Sequence, residues 1–261
     1  MRFNLTLFSV VLISSIIFSQ NEDSAEEDFE KFIEVGGDLF TAPKNFESED
    51  WINLSATIGL TGLAMLVDHD LKHFSQSNKT EFLTTVFKID DYYHTELMAA
   101  SIVLLYGFGL IDENNEVRNL SLRLAEATVY STIINMGVKF IGGRSRPFYT
   151  DSPFEFEPFK TNYEQTSFPS AHSTLAFAYS TVMAKEYQNF FWKFGWYSVA
   201  VLTAYARIYN NEHWLSDVIF GSAIGYFVGE FVNNHPTNQR TESVSEPTLP
   251  PPPFFSFKVP L

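Results

Sequence analysis

Apolar residues gather in runs long enough for helices: Trp51–Val67, Leu97–Ile111, Ala127–Val138, Leu175–Ala184, Phe194–Ala206 and Val218–Val228. Each run is rich in strong helix formers, and polar or glycine-containing segments lie between them. Strand-like alternation is scarce. The pattern predicts an all-α fold, a helical bundle of about six core helices. After Asp217, Gly221, Gly225 and Gly229 recur four apart, which puts a smooth stripe on one helix face and invites close approach by a neighbour.

None of these runs reaches the ~18 uncharged residues of a clear transmembrane helix. Trp51–Val67 is diluted by Asn53, Ser55, Thr57 and Thr61, and Lys193 interrupts the apolar residues on either side of it. Buried core helices account for these lengths, so the expectation leans towards a soluble or surface-associated domain. Short or tilted spans are the alternative, which keeps membrane association open.

The ends differ from the middle. Arg2 followed by the apolar run Leu5–Phe18 reads as a signal peptide over residues 1–20, with cleavage near Ser19 or Gln20. The protein is thus expected to be exported, to a bacterial periplasm or cell envelope. Residues 21–50 hold −9 of the formal net charge of −14 and read as a solvated, loosely structured acidic leader. The helical domain is expected over 51–232. Residues 233–261 form a Pro-rich tail ending in the aromatic stretch Phe254–Leu261.

Composition narrows the chemistry. Of 261 residues 45% are apolar and none is cysteine, which excludes disulfides, thiolate zinc sites, iron–sulfur clusters and a cysteine nucleophile. Strong acidity disfavours nucleic acid as a partner. Asp68, His69, Asp70 and His73 resemble a metal-binding cluster, as do Asp90, Asp91 and His94. Exposed polar residues at a helix end are the simpler reading of the first group, because no further ligand has recognisable spacing; no metal and no cofactor is expected. The aromatic group Phe190-Phe191-Trp192 reads as core or interfacial packing.

Three stretches carry candidate chemistry. In the first, Lys139, Arg144 and Arg146 crowd a helix end that Gly142 and Gly143 would break. Cations so gathered could hold a phosphate, or simply favour a helix C-terminus. In the second, Ser170 is placed to cap a helix whose first turn carries His172, and the backbone N–H groups of such a start favour an anion. In the third, Arg207 ends one helix and His213 lies four residues before Asp217. On one helix face that carboxylate would fix the imidazole's tautomer and leave the other nitrogen free to attack.

Taken together, Lys139 to Arg146-Pro147, Pro169-Ser170-Ala171-His172, and Arg207 to His213 to Asp217 resemble the three motifs of the type 2 phosphatidic acid phosphatase family. That family belongs to the wider acid phosphatase and vanadium haloperoxidase superfamily. The resemblance implies an active site at helix ends, where a phosphomonoester or lipid-linked (di)phosphate is hydrolysed through a phosphohistidine, without a metal. By analogy His213 is the nucleophile and Asp217 orients it. His172 protonates the leaving oxygen and then activates water. Lys139, Arg146, Arg207, Ser170 and the Ala171 N–H bind phosphoryl oxygens. The partner is therefore a phosphate ester, lipid or small and soluble; nothing in the sequence sets the oligomeric state. Two positions depart from the family's pattern, Ala171 where Gly is usual and Ala206 where Ser is usual. The alternatives are a vanadate-dependent haloperoxidase, which shares the oxyanion cradle, and a non-catalytic phosphate-binding envelope protein.

Overall fold

The computed structural model describes residues 22–88 and 95–238. The expected signal peptide, the tail beyond residue 238, and Asp90, Asp91 and His94 lie outside them. Nine α-helices form among the described residues: α1 (Glu22–Thr41), α2 (Ser48–Met65), α3 (Asp68–Ser77), α4 (Glu81–Val86), α5 (Thr95–Ile111), α6 (Asn115–Gly142), α7 (Ala171–Glu186), α8 (Phe190–Tyr209) and α9 (Leu215–Asn234). No ladder of strands occurs there; a single β-bridge joins Arg144 to Phe156. The fold is all-α, as the sequence predicts.

Local chemistry starts and stops these helices. Asn114 accepts the Val117 N–H at the start of α6, and Ser170 accepts the Ser173 N–H at the start of α7. At the end of α6, Gly143 is left-handed with φ 58°, and a Cβ there would fall 1.8 Å from Glu157 O. Only glycine fits, and the Glu157 N–H to Gly143 O bond at 2.8 Å then pins the long loop that follows.

The bundle centres on α7, which packs against α6, α8 and α9. Small side chains allow this: Ala176, Ala178, Ser180, Thr181 and Ala184 on α7 are buried. The glycine stripe of α9 lies against them. A Cβ on Gly221, Gly225 or Gly229 would meet Ser170 O at 2.5 Å, Thr174 O at 2.1 Å and Thr181 Cβ at 2.8 Å. The hydrocarbon core draws fully buried Val35, Leu124, Val182 and Val232 from four different helices, each contributing about 1.5–3 kcal/mol by burial.

Two expectations are corrected. Residues 22–41 are a helix, not a loose leader. Val35 reaches the core at 0% exposure, and buried Asp28 accepts the Tyr106 hydroxyl at 2.9 Å and lies 3.4 Å from Arg118 Nε. A charge run can thus be one face of an amphipathic helix. Conversely, the apolar run read as core helix Trp51–Val67 buries only Thr61 and Ala64 within α2, while Trp51, Ile52, Ile58, Leu60 and Leu63 are exposed. Phe190 and Phe191 at the start of α8 are also exposed.

Among the described residues one helix is long and apolar enough to cross a membrane, Leu215–Asn234. The pair α2 and α3, bent by 57°, also meets that test when joined.

Candidate active site

One end of the bundle collects the C-terminal ends of α6 and α8 and the N-terminal ends of α7 and α9. This brings the three sequence motifs together. Lys139 leaves the last turn of α6, Arg146 the loop after it, Ser170, Ala171 and His172 the start of α7, Arg207 the last turn of α8, and Asp217 the first turn of α9. His213 stands in the turn between α8 and α9 rather than on a helix, as the four-residue spacing had suggested. Asn211 makes that turn with a left-handed φ of 64°, a conformation asparagine tolerates.

His213 is the focus. Its side chain is 2% exposed, and its Nδ1 lies 3.6 Å from Asp217 Oδ2, a separation that free active sites often show before substrate tightens them. Burial first, then the positive fields of Arg146, Lys139 and Arg207 and the nearby His172, hold His213 well below the usual imidazole range. The ring is therefore neutral at neutral pH, with a lone pair available. Residues from all three motifs thus act on one imidazole.

Asp217 is fixed from every side. Its Oδ1 accepts Arg144 Nη1 at 2.5 Å, and its Oδ2 accepts the Ser167 hydroxyl at 2.5 Å and the Trp214 N–H at 2.9 Å. A fully buried carboxylate needs such partners to stay charged. Here the sequence reading is corrected twice. Arg144 is not a free cation beside the site: it is 0% exposed and bridges Asp217 to Asp68. Asp68 is not an exposed helix-end residue; it is buried and accepts Arg144 Nη2 at 2.8 Å and the Ser216 N–H at 2.9 Å. Its neighbours His69 and His73 remain on the surface, 3.1 Å apart.

The remaining cations act on His213 through their charge. Lys139 Nζ donates to the carbonyls of Thr166 and Pro169, and burial, then the charge of Arg146, lowers its ammonium to about 7. Arg146 donates from Nε to Tyr163 O at 2.9 Å and from Nη1 to Glu212 Oε2 at 2.7 Å. Ser170 is buried, and its N–H donates to Asp217 O at 3.0 Å, which ties the start of α7 to the start of α9.

Neither departure from the motif strains the backbone. Ala171 is absent from the positive-φ residues, which among those described are Glu113, Phe159, Asn211 and Gly143. Ala206 packs with Phe87 and Tyr209 in a small apolar cluster, where a hydroxyl would have to find a partner. Sequence reasoning missed Ser167, Trp214, Tyr163 and Glu212. Glu212 and Trp214, which flank His213 in sequence, carried a usable signal.

The PAP2 superfamily is the family whose pattern matches the chain, over residues 120–240. The chain is 44% identical over 66 residues to a lipid A 1-phosphatase of Porphyromonas gingivalis, 24% of this chain but only 15% of that protein's length. It is 24% identical over 158 residues to an undecaprenyl-diphosphatase of Sulfolobus acidocaldarius, covering 56% of this chain and 75% of the relative. The crystal structure of Aquifex aeolicus LpxE superposes with a TM-score of 0.51 at 21% identity, over 64% of this chain and 94% of that one. That likeness establishes the shared helical fold.

Proposed function

We propose, from the match of residues 120–240 to the PAP2 superfamily, that the chain is a phosphatase that hydrolyses lipid-linked phosphate or diphosphate esters through a phosphohistidine on His213. One observation carries this reading: the adjoining ends of α6, α7, α8 and α9 bring the charges of Lys139, Arg146 and Arg207, together with His172, to bear on the buried imidazole of His213, 3.6 Å from Asp217. In the proposed reaction the unprotonated nitrogen of His213 attacks phosphorus in line, forming an N–P bond as the ester P–O bond breaks. Asp217 holds the ring and stabilises the positive charge that develops on it. His172 gives its proton to the leaving oxygen, an alkoxide from a monoester or a phosphate from a diphosphate, and then takes one from the water that splits the N–P bond.

Phosphoryl transfer requires positioning and charge stabilisation more than covalent activation. Lys139, Arg146 and Arg207 supply the charge, and the start of α7 supplies the backbone N–H of Ala171. Relatives named for lipid A and undecaprenyl diphosphate support a lipid substrate. So do the many exposed apolar side chains of α2, α5 and α8, which a lipid phase would cover. The protein is accordingly membrane-associated in this reading, with an envelope location following from the expected signal peptide.

A mixed-micelle assay comparing a lipid phosphomonoester with p-nitrophenyl phosphate tests both parts. Faster turnover of the lipid is expected, with both activities lost in His213→Ala. Equal, detergent-independent turnover would defeat the lipid preference, and an active, folded His213→Ala would defeat the phosphohistidine.

A further inference from the structure

Arg146 and Arg207 come to the site with a carboxylate already between them. Glu212 Oε2 accepts Arg146 Nη1 at 2.7 Å and lies 3.6 Å from Arg207 Nη2. The Tyr163 hydroxyl donates to the same oxygen at 2.7 Å, and the Tyr163 ring lies 4.0 Å from the guanidinium of Arg146. The Glu212 side chain is 26% exposed, so it sits at the mouth of the site, one residue before His213. A phosphoryl group entering the site needs the same guanidinium N–H groups.

We propose that Glu212 is a built-in competitor for the phosphate site, held in place by Tyr163, and that it sets an affinity threshold which terminal phosphate groups pass and phosphodiesters do not. The proposal rests on the phosphatase reading above and concerns which phosphates that site admits. A diester carries one negative charge. When it displaces the Glu212 carboxylate, the arginine pair exchanges one monoanion for another, and the Tyr163–Glu212 bond is lost with no Coulombic return. A terminal phosphate carries between −1.5 and −2 near neutral pH, with three acceptor oxygens. It brings added charge to Arg146, Arg207 and Lys139, and so outcompetes the carboxylate. At a lipid surface, where diester head groups are in excess, this keeps the site from filling with molecules that it cannot cleave. Being partly exposed, Glu212 can swing into solvent by side-chain rotation alone.

A purely structural role makes the opposite prediction. If Glu212 served only to position Arg146, removing its charge would weaken anion binding. The test is titration calorimetry on the full chain in detergent with inorganic phosphate and with dimethyl phosphate, neither of which requires turnover. Glu212→Gln keeps the size and an acceptor oxygen but removes the charge. It is expected to bind inorganic phosphate about tenfold more tightly and dimethyl phosphate by a similar factor, because each ligand displaces the same carboxylate, so that dimethyl phosphate comes to fill a site from which the wild type excludes it. Tyr163→Phe, which frees the carboxylate without removing it, is expected to shift both affinities in the same direction by about two- to threefold. Unchanged or weaker binding of both ligands by folded Glu212→Gln overturns the proposal. Should Glu212→Gln fail to fold, Tyr163→Phe decides by the same criterion. A wild-type protein that binds no inorganic phosphate would instead overturn the phosphatase reading itself.

Discussion

Arg144 donates from Nη1 to Asp217 Oδ1 at 2.5 Å, with both side chains at 0% exposure. Through its other nitrogen the same guanidinium reaches Asp68 at the corner between α2 and α3. The rings of Phe156 and Trp214 lie 5.4 Å and 5.5 Å from the guanidinium. The carboxylate proposed to orient His213 is thus anchored to a segment more than a hundred residues away in sequence.

Breaking this bridge is expected to cost more in stability than any change on the site's surface. Arg144→Leu leaves two buried carboxylates without their cation, a loss of about 3–5 kcal/mol. Asp68→Asn, which keeps shape and one acceptor, should cost less. Chemical unfolding in detergent gives both values, and Arg144→Leu costing under about 1 kcal/mol would contradict the burial described.

His213→Ala is expected to lower turnover by at least about 10³-fold while leaving the unfolding midpoint little changed. Rapid alkaline denaturing quench with labelled substrate, which preserves an N–P bond, should trap phosphorylated wild-type protein and no phosphorylated His213→Ala. Label retained in the variant would place the covalent step elsewhere.

The depressed titration of His213 sets a sign for stability against pH. Below 6.5 an unfolded chain protonates this imidazole while the folded protein resists doing so, so stability falls as pH drops beneath 6.5. The slope from this group is up to about 1.4 kcal/mol per pH unit. His213→Asn should flatten the acid limb by that amount, as measured by unfolding from pH 7 to pH 5.

Lys139, lowered to about 7, gives a second pH signature. In the empty site it loses its charge as pH rises through 7, whereas a bound anion favours the ammonium. Binding of inorganic phosphate should therefore take up a proton and weaken by as much as about tenfold per pH unit above 7. Calorimetry in buffers of different ionisation enthalpy counts that proton, and Lys139→Met should abolish the uptake.

The glycine stripe couples packing to the site. At Gly221 a Cβ would strike Ser170 O at 2.5 Å, while at Gly62 on α2 it would meet nothing within 4 Å. Gly221→Ala is expected to shift the start of α7, reducing activity more than tenfold and costing about 1–3 kcal/mol. Gly62→Ala should be neutral or slightly stabilising. Equal behaviour of the two variants would show that α7 and α9 can separate freely.

Short-range features were legible because their causes are local. Helix periods, the Ser170 cap, the break at Gly142-Gly143 and the small-residue stripe of α9 each follow from a few adjacent residues. The three motifs were legible by resemblance, since chemistry at phosphorus fixes residue types at fixed spacing. Arg144 was misread for the same reason: in sequence it is one more cation beside Lys139 and Arg146, and nothing nearby reveals that Asp68 waits for it.

The sequence alone determined an all-helical chain and the identities of the groups that meet at one end of it. Tertiary structure decided which of those groups face the reacting site and which are consumed in holding it. It also decided that the acidic helix α1 joins the core while apolar α2 faces outward. Burial depends on what packs against a residue, and that partner is set by chain segments that no local pattern specifies.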